Sequence, residues 1–338
     1  MFNKYLIAKP VSFNVMFCRL CCLLCLTGLG VAPLHAEETN WFSVTVDNDL
    51  LVGNDNGYTN GIYLSWFEVS EQHQPQTPHW LAAPLSWSLD MESVRTSIHA
   101  YSLGQTMVTP EDITIENPPV NDIPYAGALL FNYTYIAITE THADATGTVF
   151  GMVGPSSGAE ATQKWVHDFI GGDEPKGWDT QLKDEFVFQL SRARLWRTWN
   201  TPDDQTDFLL LSEAGLGTIS SYVAGAVLFR FGRDLSRTFA TPLLINTRSA
   251  NPAAIEGGWY FFAGARFEYI FNAIYTDGNT YRDSRSIDYD HSQIGLTTGL
   301  AYSWENISLT FALYESNISD DVTRDITRFG TLTFGWQY

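Results

Sequence analysis

Twelve stretches of this chain alternate apolar and polar residues with a period of two: 41–49, 58–69, 96–108, 125–139, 147–154, 186–198, 207–218, 221–231, 259–272, 291–304, 306–315 and 325–338. No segment after residue 36 offers the roughly 20 consecutive apolar residues that a membrane helix needs. An even number of strands, each of 8 to 15 residues, predicts an all-β fold, a 12-stranded antiparallel barrel closed on itself. One segment departs from the pattern. Residues 160–170, Glu-Ala-Thr-Gln-Lys-Trp-Val-His-Asp-Phe-Ile, are helix formers that stop at Gly171-Gly172, which predicts a short helix in one inter-strand connection.

The alternation is cleanest late in the chain. Phe261, Phe267, Tyr269 and Phe271 share one parity, whereas Gly264, Arg266 and Glu268 share the other. Ile294, Leu296, Leu300, Tyr302 and Trp304 likewise oppose Gln293, Gly295, Thr297 and Gly299. Lipid outside and a polar lumen inside would produce this pattern, but a soluble sandwich or lipocalin-type barrel inverts it, and the period alone does not say which face is which. Three features favour a transmembrane barrel. The last strand ends on an aromatic residue, with Leu332, Phe334, Trp336 and Tyr338 on one face, as in strands recognised by the barrel assembly machinery. Aromatics make up 14% of the chain, several near strand ends, where interface girdles form. The connections are unequal: 219–220 and 305 are near-minimal turns, whereas 70–95, 110–124 and 232–258 are long, which predicts short periplasmic turns and longer outer loops.

The amino terminus and the charge set the compartment. Lys4, Lys9 and Arg19 precede or punctuate an apolar run that ends Pro-Leu-His-Ala36, the layout of a secretory signal peptide over residues 1–36, leaving 37–338 as one outer-membrane barrel domain. An uncleaved anchor is the alternative, but the clean apolar run, 20–33, is short for a span. All four cysteines, Cys18, Cys21, Cys22 and Cys25, fall in this segment, so their spacing is not read as a metal or redox motif. Beyond it stand 16 basic against 38 acidic residues, which argues against nucleic acid as a partner and is compatible with a setting rich in divalent cations.

A barrel that is only a pore needs no helix with a polar pair on one face, yet Gln163 and His167 stand at i and i+4 and project together. A lone histidine is more often structural or solvated than catalytic. The second cluster is Asp47-Asn48-Asp49 at the end of the first strand, followed by Asn54-Asp55-Asn56-Gly57 and Tyr58-Thr59-Asn60-Gly61. Carboxylates and amides this dense orient a histidine, bind a hard cation or shape an oxyanion site; equally, they are what a polar turn requires. The calcium-loop pattern is incomplete, since no glutamate closes it. Gly154-Pro-Ser156-Ser-Gly158 matches G-x-S-x-G, but the chain shows no strand–helix–strand unit to carry a nucleophile elbow.

Taken in order, Val46-Asp-Asn-Asp49, Asp55-Asn-Gly-Tyr-Thr-Asn-Gly61, Gly104-Gln-Thr-Met-Val-Thr-Pro110, Asp122-Ile-Pro-Tyr-Ala-Gly127, Gly154-Pro155 and Gln163-Lys-Trp-Val-His167 with Gly177-Trp178 resemble the outer-membrane lipid A 3′-O-deacylase family. The resemblance covers essentially the whole chain after residue 36. It implies a barrel in the bacterial outer membrane, Ca2+ as cofactor, lipid A of lipopolysaccharide as substrate, and hydrolysis of the 3′-linked acyloxyacyl ester. It also implies site residues: Asn48, Asp49, Thr59, Gln163 and His167, with His167 as general base on water and calcium with Asn48 at the oxyanion. Asp173 stands where the family can carry a glutamate, and with Asp47 it is a candidate metal ligand. Residues 111–121 hold no basic counterpart to a family lysine. The alternatives are a non-catalytic barrel and an outer-membrane phospholipase, which would need a serine bonded to His167. Alternation puts Ser43, Thr45, Asp47 and Asp49 on the lumenal side and Asn48 on the lipid side, so joining the two clusters calls for a bulge or for a strand that has left the membrane there.

Overall fold

The computed structural model describes residues 39–48, 58–70, 73–233, 235–238, 240–243, 258–304, 306–316 and 327–338. The leader expected over 1–36 lies outside them. Twelve strands, β1 (Thr39–Asn48), β2 (Tyr58–Val69), β3 (Thr96–Val108), β4 (Ala126–Ile138), β5 (His142–Val153), β6 (Glu185–Asn200), β7 (Thr206–Gly217), β8 (Ser220–Gly232), β9 (Trp259–Ala273), β10 (Ser292–Trp304), β11 (Ile307–Ser316) and β12 (Thr327–Gln337), pair with their sequence neighbours. Every pairing is antiparallel, and β1 meets β12 to close the barrel. Among the described residues, four short α-helices occupy connections: α1 (Ala83–Ser86), α2 (Ala159–Ile170), α3 (Leu235–Thr238) and α4 (Ile274–Asp277).

The strands form where the alternation predicts them, and closure leaves no unpaired edge. Phe267, Phe271, Ile294, Leu296 and Leu300 point outward and are exposed, the surface expected against lipid. The opposite parity is buried, and much of it is polar. Within the lumen, Arg266 pairs with Glu213 (2.8 Å) and Glu268 (2.9 Å), Tyr222 donates to Glu213 (2.6 Å), and Arg230 bonds Asp207 (2.6 Å). Buried ions persist there because each has an opposite partner. A cavity of about 590 Å³ runs between these walls.

The rim that carries Thr39 and Gln337, here the terminal rim, also carries connections 70–95, 139–141, 201–205, 233–258 and 305–306; the remaining connections lie at the far rim. The expected separation of short and long connections is therefore only partial. The near-minimal turn between β7 and β8 is at the far rim, and two long connections are at the terminal rim. Each of those two has packing work. Leu235, Ala240 and Leu243 fill the lumen at the terminal end, among Trp41, Phe67, Ile98, Leu195, Leu209 and Phe262. The 70–95 connection folds back over the outside of the wall, where Ala82, Leu89 and Val94 cover Tyr133, Tyr135 and Ala137. β5 begins at His142, five residues earlier than the alternation indicates, because its outward Asp144 and Thr146 lie beneath that cover and not against lipid.

Candidate functional site

Alternation fixes where β1 can contribute. Trp41, Ser43, Thr45 and Asp47 are buried toward the lumen, so Phe42, Val44, Val46 and Asn48 point outward. Asn48 lies directly opposite Asn60 on β2, Asn60 opposite Met107 on β3, and Met107 opposite Gly127 on β4. These four residues form one row across the outer face near the far rim. A bulge between Tyr58 and Asn60 absorbs Thr59 just before the row.

Helix α2 lies on that same outer face. Met107 packs with Ile113, Tyr125, Ala159 and Trp178, and the Tyr125 and Trp178 rings are 4.9 Å apart. Gly127 has to be glycine: a Cβ there would stand 2.3 Å from Ala159 Cβ and 2.4 Å from Ser157 Oγ. The helix is thus seated directly on the β4 backbone. Its entry is fixed by Gly154 (φ 108°), whose N–H donates to Gly127 O (2.9 Å), and by Gln105 Nε2 donating to Ser157 O (2.7 Å). Gly171 (φ 76°) ends it, with the Gly171 and Gly172 N–H groups both donating to His167 O.

The 3.6-residue period turns Ala159 and Gln163 toward the wall and leaves Trp165 and Phe169 exposed on the other side, stacked with ring centroids 6.0 Å apart. Gln163 is 1% exposed; its Oε1 accepts from Trp178 Nε1 (2.7 Å), and its Nε2 is buried without a hydrogen-bond partner. His167 is half-buried at the edge of the contact, and its Nδ1 lies 2.6 Å from the backbone carbonyl of Asp173. A carbonyl only accepts, so Nδ1 carries a proton, and in the neutral imidazole the lone pair is then on Nε2. Gly172 makes room for this geometry, since a Cβ there would sit 3.0 Å from Nδ1. Burial pushes the Tyr125 phenol up to about 12, opposed by its hydrogen bond from the Gly177 backbone and assisted by nearby Asp112 and Asp122.

The residues singled out in the sequence fare differently. Asn48, Gln163 and His167 belong to one face, and the parity conflict disappears because the helix, too, is outside the barrel. Thr59 sits in the bulge, its side chain outside the described residues, and Asp49 lies outside them altogether. Asp47 is a correction: it is fully buried on the lumenal side, across the wall from α2, and is no candidate metal ligand for this face. Asp173 meets His167 through its main-chain carbonyl, which any residue would supply. Ser156 donates to Asp184 Oδ2 (2.9 Å) and not to an imidazole, so it is a turn residue.

Sequence reasoning missed Asn60, Gln105 and Trp178 as members of the site. Asn60 is 7% exposed with its Oδ1 buried and without a hydrogen-bond partner. Its signal was available: it shares outward parity with Asn48 on the neighbouring strand. Among the described residues no three acidic or histidine side chains converge on a metal position.

No curated protein sequence matches this chain. Among solved structures, LpxR from Salmonella typhimurium is similar with a TM-score of 0.71 at 15% identity, covering 88% of this chain and 99% of that one. The COG4313 outer membrane channel from Pseudomonas putida F1 gives a TM-score of 0.43 at 9% identity, covering 91% of this chain and 100% of that one. The β domain of the Bordetella autotransporter BrkA gives 0.42 at 9% identity, covering 90% and 99%. The family model described as outer membrane protein LpxR matches residues 19–338, and by that match the chain belongs to the LpxR family and is an outer-membrane β-barrel.

Proposed function

We propose that this barrel is a calcium-dependent lipid A deacylase that hydrolyses the 3′-linked acyloxyacyl ester of lipopolysaccharide in the outer leaflet. The observation that carries this reading is the seating of α2 on the outside of the wall, beside the outward row Asn48–Asn60–Met107–Gly127. A substrate embedded in the same leaflet reaches such a site sideways, with its acyl chains still in the membrane.

His167 Nε2 takes a proton from water as the water oxygen bonds to the ester carbonyl carbon, and later returns it to the departing sugar oxygen. Water and ester thus become acid and alcohol without an acyl-enzyme. The bond from Nδ1 to Asp173 O fixes the tautomer that makes this exchange possible. The unpaired Gln163 Nε2–H is a preorganised donor for the carbonyl oxygen as it gains charge. Calcium, when bound, would supply Lewis-acid polarisation of that oxygen. The described wall offers it neutral oxygen donors, Asn48 and the unpaired Asn60 Oδ1, which suit a hard cation. The Ser156 bond to Asp184 disfavours the phospholipase alternative.

Mass spectrometry of lipid A from cells producing the protein tests the reading. Loss of the 3′-linked chain pair is expected in calcium, and not with chelator or in His167→Ala. Unmodified lipid A from a folded parent barrel in calcium would leave only a non-catalytic member of the family.

A further inference from the structure

The terminal rim carries a girdle of outward, exposed aromatics on five walls: Trp199, Phe208, Phe231, Phe261 and Trp304. It is interrupted over β3–β5. There the outward residues are Ser97, His99, Tyr133, Tyr135, Asp144 and Thr146, all buried, together with Thr148 and, on β6, Arg192. Lipid does not touch them, because residues 73–95 cross these strands in turn. Gln76 N donates to Ser97 Oγ (2.8 Å) and its carbonyl accepts from Tyr135 (2.7 Å); His79 N donates to Tyr133 Oη (3.1 Å). Leu81 O then accepts from Thr148 (2.7 Å), and Ser88 Oγ from Arg192 Nε (2.9 Å). Asp144, beneath this strap, is neutralised by Arg192 (2.9 Å) and Arg194 (2.7 Å).

Thr148 stands six residues along β5 from its terminal-rim end. At about 3.3 Å per residue and a tilt of about 40°, that is a climb of roughly 15 Å from the rim, about half the height of an apolar band about 25 Å tall. The strap therefore does not hang below the barrel. It lies against the wall, running from the level of the rim aromatics, where Gln76 meets Ser97, up to Thr148. Its own outer surface offers Trp80 (73% exposed) and Trp87 (81% exposed), and the Trp87 indole N–H is satisfied internally by Pro84 O (3.1 Å). An indole with its donor already bonded enters an interface at little cost.

We infer that residues 73–95 form an interfacial element that completes the aromatic girdle, with Trp80 and Trp87 seated among phospholipid headgroups and upper acyl chains. The leaflet is the one opposite α2, which on the proposed function is the inner leaflet, since strap and α2 occupy opposite rims. The interface is continuous with the lipid-facing surface of the adjoining walls. The reading requires only the membrane barrel and not its hydrolytic activity.

Spin labels on single introduced cysteines decide it. Trp80→Cys and Trp87→Cys would be labelled in protein purified from outer membranes, with the parent chain as the blank for any cysteine in the leader. Two controls complete the set: Phe267→Cys on the lipid-facing wall and Asp203→Cys in the β6–β7 turn at the same rim. In vesicles of phosphatidylethanolamine and phosphatidylglycerol, with nickel chelate on both sides, the oxygen-to-nickel accessibility ratio at both tryptophan sites is expected several-fold above Asp203 and at or below Phe267. Ratios equal to that at Asp203, at either site in a barrel that retains its heat-modifiable mobility, would place the strap in water and overturn the inference. Both tryptophans are on the surface, so neither substitution removes a core contact.

Discussion

Replacing Gln163 by leucine separates stability from catalysis at one residue. The side chain is 1% exposed, its Oε1 accepts from Trp178 at 2.7 Å, and its Nε2 is buried without a partner. Leucine has a similar volume and removes both amide atoms. Stranding the Trp178 indole N–H costs about 1–3 kcal/mol, whereas deleting an already stranded Nε2 donor recovers a similar amount, so the net change in stability is expected to fall within about 1–2 kcal/mol of zero. Activity follows a different rule. If Nε2 donates to the oxyanion, its loss lowers turnover by about 10²–10³, equivalent to about 2.7–4 kcal/mol. Gln163→Glu keeps the acceptor for Trp178 but replaces the donor, so it should lose activity to a comparable degree. Stability is read from urea unfolding of the barrel in vesicles, and turnover from time-resolved mass spectrometry of purified lipid A in calcium. A folded Gln163→Leu barrel that retains activity within about tenfold of the parent would remove Gln163 from the oxyanion. A loss of stability beyond about 4 kcal/mol would instead show that Nε2 has a strong partner in the folded protein.

Other outcomes follow from the same geometry. Gly127→Ala forces a Cβ to 2.3 Å from Ala159 Cβ, so α2 must lift from the wall; activity should fall at least about tenfold while the barrel's heat-modifiable mobility is retained. Asp173→Ala should leave turnover within about threefold of the parent, because His167 is held by a backbone carbonyl; a loss like that of His167→Ala would assign the work to the carboxylate. Tyr125 carries a phenol raised to about 12 by burial, so the folded state favours the protonated form: its contribution is complete below about pH 10 and is lost as pH rises toward 12. Alkaline difference absorbance of parent against Tyr125→Phe should show a tyrosinate step displaced above the ordinary tyrosine range, and a step at about 10 would contradict the burial.

The strands were legible because a lipid face and a lumenal face impose a two-residue period that survives in the sequence. β2 and β3 have the bounds the alternation predicts, and the other strands fall within two residues, except at the start of β5. That exception has a tertiary cause: the outward positions at His142–Thr146 face the strap, so polar residues are tolerated where the membrane would demand apolar ones. The same cause blurs the expected asymmetry of the connections, since one long segment at the terminal rim roofs the wall and another fills the lumen.

For the candidate site, the sequence by itself determined the residue types: an amide and an imidazole one helical turn apart, and an Asp/Asn cluster spanning the end of the first strand and the start of the second. It also determined the parity of Asn48, which looked like a contradiction. Only the tertiary structure decided that the helix lies outside the barrel, that Asp47 belongs to the other side of the wall, and that the Asp173 main chain rather than its carboxylate holds His167. The reason is that alternation encodes which face a residue occupies, whereas the covering of that face is decided by a connection returning from another strand, and no local period records such a return.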